Sequence, residues 1–147
     1  MQKIKLAGVA IAVLAVTVVA GQGFKIYPGA TKYTPPDTEE TREAMKALPP
    51  GTVVTSYLTN DSFEKVVAFY KGFAREYIIP MPGMPKSRKL PNGQDFKQTF
   101  YIFDGANDLT TSKSWAKIQR PFIGSIDDNL QPHDVRDVTV IEVSQKK

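Results

Sequence analysis

The 147-residue chain contains no cysteine. That absence removes disulfide cross-links, thiolate nucleophiles, Cys-ligated zinc and a lipid-modified leader cysteine together. A domain of this size can do without cross-links when its core is large enough. Eight Phe, six Tyr and one Trp supply the bulk for one. Histidine is nearly missing too. His133, the single imidazole, sits between Pro132 and Asp134 in a polar stretch with no GxSxG elbow in the chain, which sets aside a Ser-His-Asp hydrolase. Net charge is small, 19 basic against 15 acidic residues, or +4. Lys3 and Lys5 account for two of the 19, leaving 17 against 15 in the rest, too even a balance to argue for nucleic acid. Hydrophobic residues at 41% and charged residues at 23% are ordinary for one globular domain.

One long apolar run stands out against this even background. Residues 1–5 carry two lysines and no acid, and residues 6–20 are apolar except for Thr17. Val18-Val19-Ala20 before Gly21 places small residues where a signal peptidase cuts, completing a secretory pattern. The run is shorter than the ~20 residues that span a bilayer, which favours a cleaved signal peptide. Counting Ile4 and Phe24, with Lys5 snorkelling, gives the alternative of an uncleaved anchor touching the membrane through residues 4–20. Residues 1–20 are therefore expected to be a signal peptide or membrane anchor, and residues 24–147 a single exported, periplasmic domain.

Within that domain, residues 24–36 read as extended, with a turn at Tyr27-Pro28-Gly29 and a stop at Pro35-Pro36. Asp37 and Glu40 form a capping box for a short helix over 38–48, whose apolar side (Ala44, Met45, Leu48) is narrow. Residues 52–59 are rich in β-branched and aromatic side chains and predict a strand. Asp61 and Glu64 form a second capping box ahead of a longer helix. Its apolar residues Phe63, Val66, Val67, Tyr70, Phe73, Ala74 and Tyr77 fall on one face. Four prolines and two glycines over 79–95 exclude a regular element there. Strands follow at 96–104, 114–119 and 137–144, with a polar loop at 126–134. The expected class is α+β: a single antiparallel sheet of about four strands, one long amphipathic helix on a face, and a short N-terminal helix.

No constellation in the sequence defines a reaction, a metal site or a cofactor. Asp127-Asp128-Asn129 and the segment from Asp104 to Asp108 supply loop oxygens, but neither has the EF-hand order, and both are ordinary turn chemistry. Met81 and Met84 are soft ligands that lack enough companions for copper, so they read as gap-fillers at the core's edge. The same loop carries Lys86, Arg88 and Lys89. Met81, Met84, Lys86, Arg88 and Lys89 are accordingly the expected contact residues, because prolines lower the cost of ordering a loop that offers both apolar and charged groups.

The run Ile26-Tyr27-Pro28-Gly29-Ala30, then Leu48-Pro49-Pro50-Gly51, then Tyr57 through Asp61-Ser62-Phe63-Glu64-Lys65-Val66-Val67-Ala68-Phe69-Tyr70 resembles uncharacterised small exported bacterial proteins with a "YPGA … DsfekVvaFY" pattern. The resemblance covers residues 26–77. It implies export and an α+β domain, and it implies no active site. The expected function is a non-catalytic exported binding domain with a protein or small-ligand partner, no cofactor and no nucleic acid. The alternative is an accessory subunit of a membrane complex, held by an uncleaved N-terminal anchor.

Overall fold

A computed structural model describes residues 23–80 and 86–147. Strand β1 (Thr31–Tyr33) follows the Tyr27-Pro28-Gly29 turn, where Gly29 takes φ +80°, and is stopped by Pro35-Pro36. Helix α1 (Glu39–Lys46) starts at Thr38, whose hydroxyl accepts the Thr41 N–H at 3.1 Å. Asp37, the expected cap, forms an ion pair with Arg42 instead. Strand β2 (Thr52–Thr59) matches its sequence prediction at both ends.

Helix α2 (Phe63–Lys71) is capped by Ser62, which accepts the Lys65 N–H, and not by Asp61. The Asp61 carboxylate is taken by the Tyr27 hydroxyl at 2.7 Å and by Lys65. The helix is also shorter than its apolar stripe. It ends at Gly72, and tight bonds from Gly72 N to Phe69 O and from Phe73 N to Tyr70 O turn the chain. The chain then extends into β3 (Arg75–Tyr77), antiparallel to residues 100–102. Phe73 and Ala74 still pack on the core, so the stripe continues through a change of secondary structure that periodicity cannot register.

Strand β4 (Ser87–Lys89) contradicts the expectation of an irregular 79–95 segment. It lies between Pro85 and Pro91 and pairs with residues 95–97, the connection closing through Leu90, Gln94 and Gly93 at φ +82°. Three longer strands form the centre: β5 (Asp95–Ile102), β6 (Ser114–Arg120) and β9 (Thr139–Lys146). Between the last two, the expected polar loop is a hairpin of β7 (Phe122–Ile126) and β8 (Pro132–Arg136).

The main sheet has seven strands in the order β1-β2-β9-β6-β5-β3, with β4 beside β5, every pair antiparallel. Nine strands and two short helices among the described residues make the fold mostly β. The α+β expectation of one long helix on about four strands is thereby corrected. The strands it missed are three residues long, or lie in polar and proline-rich sequence, and neither leaves a period-2 signal. Among the described residues no helix is long and apolar enough to cross a membrane. The stretch at 4–20 on which the anchor reading rests lies outside them, as does the leader as a whole.

Alternation along β5 separates two layers. Tyr101 and Phe103 face α2, where Phe63, Val66 and Tyr70 meet Ala116, Ile118, Ile141 and Val143 in the core. Phe100 and Ile102 point the other way, with Phe100 against Trp115 at 5.9 Å between ring centroids. The β7–β8 hairpin meets the end of β1 at Phe122, whose ring lies edge-on to Tyr33 at 5.1 Å, with the Arg136 guanidinium over both rings. Gly124 permits the hairpin: a Cβ there would come within 2.8 Å of Asp134 Cβ, and Asp134 is held at φ +51°. Gly124→Ala should therefore cost roughly 1–3 kcal/mol through overpacking. Urea denaturation measures it, and a cost near zero would show that the hairpin opens without resistance.

Candidate functional site

The expected contact loop splits in the structure. Met81 and Met84 lie outside the described residues, and each of the three cations after them has a partner inside its own neighbourhood. Lys86 Nζ is 2.6 Å from Glu76 Oε1, the Arg88 guanidinium stacks 4.6 Å from the Phe96 ring centre, and Lys89 pairs with Asp95. These side chains bind β4 and its flanks to the sheet.

Glu76 is the more embedded of the two carboxylate partners. Beyond Lys86 it accepts hydrogen bonds from the Thr99 hydroxyl at 3.0 Å and the Tyr101 hydroxyl at 3.1 Å. Burial pushes the Glu76 pKa up, but the Lys86 ammonium and the two hydroxyls together outweigh it and hold the carboxyl below its ordinary value. The Tyr101 hydroxyl shifts upward, through burial first and the Glu76 charge second.

His133 is exposed near the hairpin tip, its Nε2 2.8 Å from Asp127 Oδ2. Asp127 also accepts the N–H groups of Asn129 and Gln131, so it closes the β7–β8 turn and lies below the usual carboxylate range. Asp104 and Asp108 do the same work in the β5–β6 connection. Asp104 accepts from Ala106 N, Ser112 Oγ and Lys113 N, and Asp108 from Thr110 and Thr111. Among the described residues no group of three or more His, Asp or Glu stands ready to hold a metal ion.

Two concavities stand out among the described residues. The first, about 390 Å³, opens beside the start of α2. Glu64 pairs with Lys97 across it. Arg120 is clamped by the Asp137 carboxylate, the Asp137 and Asp61 carbonyls and the Thr139 hydroxyl. Its charges neutralise one another. The arrangement fastens the ends of β6 and β9 to the α2 cap and leaves no donor fork free for a ligand.

The second is a groove of about 640 Å³ between α1 and the outer edge of β2. Tyr33, Pro35 and Pro36 form one end, Arg42 and Met45 of α1 one wall, and Val53 and Val54 of β2 the other. Helix α1 buries none of its residues. Met45 is 53% exposed and Val53 46%, two large apolar side chains facing water in one place. One signal for this was legible in the sequence, the narrow apolar side of α1. The partner wall was invisible because it arises from where β1 stops, a matter of register.

That register also aims main-chain groups into the groove. The Lys147 N–H donates to the Gly51 carbonyl at 3.1 Å, so Gly51, Val53 and Thr55 turn their backbone groups to β9. Thr52, Val54, Ser56 and Leu58 turn theirs outward. Strand β1 pairs with residues 56–58 only. Thr52 N donates to Pro49 O. Opposite Val54 the continued register falls on Pro35, which has no N–H to donate.

No protein-family model, curated protein or solved structure matches this chain.

The Glu76 cluster makes a pH prediction. Its folded pKa is depressed, so its stabilising contribution is present above the unfolded value of about 4.3 and is lost as pH falls through the lower folded value. Glu76→Gln should cost about 1–2 kcal/mol at pH 7, from a charge-assisted hydrogen bond removed at a site only 24% exposed. Denaturation midpoints of the two proteins should converge as pH falls from 7 through the titration of folded Glu76. A gap that stays constant until both proteins unfold in acid would remove ionised Glu76 from the account.

Proposed function

We propose that this chain is a non-catalytic interaction domain of the exported, periplasmic compartment, and that it holds a protein partner in the groove between α1 and β2. The observation that carries the reading is the unburied state of α1. An eight-residue helix is marginal on its own in water. The Thr38 cap and the exposed Arg42–Asp37 and Lys46–Glu43 pairs supply at most about 1 kcal/mol each. A partner laid against Met45 and Val53 adds the burial that the isolated fold does not give this helix, at roughly 25 cal/mol per Å² of apolar surface covered.

Export is supported by the basic, apolar and small-residue succession over residues 1–20 and by the resemblance carried on residues 26–77. The non-catalytic part is supported by how the carboxylates are used: Asp61, Glu64, Glu76 and Asp127 are each engaged by hydrogen bonds or ion pairs that fasten neighbouring elements.

A photo-crosslinking residue at position 45, in cells of the native host, should give one discrete adduct that Val53→Asp reduces at least tenfold. The same probe at Asn92, beside β4, should give none. An adduct from position 92 that ignores Val53→Asp would move the contact surface to the β4 hairpin. Residues 1–24 fused to a phosphatase active only outside the cytoplasm should switch it on, and Lys3→Glu with Lys5→Glu should weaken export several-fold. An inactive fusion would refute the compartment.

A further inference from the structure

We infer that the groove takes its partner as an extended, acidic peptide strand added to the outer edge of β2, a proposal that rests on the groove being the docking surface. Three features of the wall fix the occupant's class. The first is the backbone. Where β1 parts from β2 after Tyr33, Val54 presents an outward N–H and C=O, and Pro35, the residue that would continue the ladder, cannot donate to that carbonyl. An incoming strand supplies both a donor and an acceptor at one residue, which a helix cannot do because its own backbone groups are already paired.

The second feature is shape. The chain leaves β2 at Thr34, runs out through Pro35-Pro36 into α1 and returns at Gly51, so the groove is bounded on both long sides. Its volume of about 640 Å³ suits a few residues of extended chain. In such a strand alternate side chains point to opposite faces, so one set meets Met45, Pro36 and Val53.

Charge is the third. Of the residues that line the groove, Lys32, Arg42 and Lys46 are cations and Asp37 is the single carboxylate. Arg42 and Lys46 are held only by exposed pairs, with Asp37 and with Glu43, and such pairs exchange partners at little cost. Lys32, beside Tyr57 in the β1–β2 register, makes no ion pair among the described residues. An apolar strand with acidic ends is complementary to this rim, and a basic one is repelled by it.

The test uses the full chain in detergent micelles and the capped peptide acetyl-Glu-Val-Thr-Val-Thr-Val-Glu-amide. Binding is read by fluorescence anisotropy and by amide hydrogen exchange over residues 52–56. The peptide should slow exchange there. Replacing both Glu by Lys should weaken binding at least tenfold, and Lys32→Glu in the protein should do the same to the acidic peptide. N-methylation of alternate peptide amides should separate by phase: one phase loses at least tenfold, the other stays within about threefold, because only every second amide faces β2. Equal loss in both phases, or binding with unchanged exchange at 52–56, overturns strand addition while leaving the groove as a docking surface. No binding by the acidic peptide overturns strand addition as well. If the position-45 adduct is absent, the groove reading itself falls, a result separate from any of these.

Discussion

Tyr70 has no exposed surface, and its ring is where the helix, the sheet and the amino-terminal segment meet. It stacks on Phe24 and lies against Phe69, Phe73, Tyr101 and Phe103, with centroid distances of 5.0–6.1 Å. Its hydroxyl reaches the Lys25 carbonyl at 2.9 Å, so one side chain fixes both how α2 lies on β5 and where the incoming chain crosses it. Burial pushes the Tyr70 pKa further up, which keeps the hydroxyl a donor at any ordinary pH. The adjoining Tyr27 hydroxyl, raised to about 12 by its bond to Asp61 and by burial, continues the same tie to the α2 cap. With residues 24–30 held there, β1 begins at Thr31 in the one register that puts Tyr33 opposite Ser56. The groove is thus a downstream consequence of aromatic packing some distance away.

Sequence legibility followed the physics of each element. Strand β2 and the core face of α2 were readable because β-branched runs and a 3.6-residue stripe are signals of burial on one side. The ends of α2 were not, since Phe73 and Ala74 still pack on the core, half-buried, after the helix stops, and burial is all the stripe records. Both capping residues were misplaced by one, Asp37 for Thr38 and Asp61 for Ser62, because the two acids serve Arg42 and Tyr27. Such partnerships over distance have no local trace. Strands β1, β3 and β4 are held by their neighbours and not by composition, and a proline-flanked Ser-Arg-Lys could be read as a strand only by knowing that Phe96 and Asp95 lie beside it. Of the site, Met45 was legible as part of a narrow apolar face, while Tyr33, Pro35 and Val53 became a wall only through register.

The distribution of charge supports placing the proposed docking at the groove. Several cations elsewhere are committed to structure: Lys86 to Glu76, Lys97 to Glu64, Arg120 to Asp137 and the α2 cap, and Arg136 to Asp134 above two rings. The most enclosed of these are Glu76, 24% exposed opposite Lys86, and Arg120, 22% exposed, so removing Lys86 or Arg120 strands a half-buried carboxylate or a set of carbonyls. Around α1 the pairs are exposed at both ends, with side chains 57–80% accessible, and nothing packs behind them. The same type of interaction therefore does different work in the two regions. It clamps where it is half-buried, and it is exchangeable where it is not.

Pro35 and Pro36 have a double effect that joins fold to function. By ending β1 after three residues they keep a long edge from forming, which is how sheets commonly avoid unwanted pairing. The same stop diverts the chain outward and leaves Val54 unpaired behind it, so the edge is blunted against broad sheet-to-sheet contact yet open to a short strand entering the wedge. Helix α1, too short to be stable alone and with no buried residue, is the outer wall of that wedge. In the docking proposed, an edge guarded by two prolines and a thinly packed helix would admit a short segment and exclude a long flat one. That selectivity requires no catalytic group, only the distance between where β1 ends and where β2 begins.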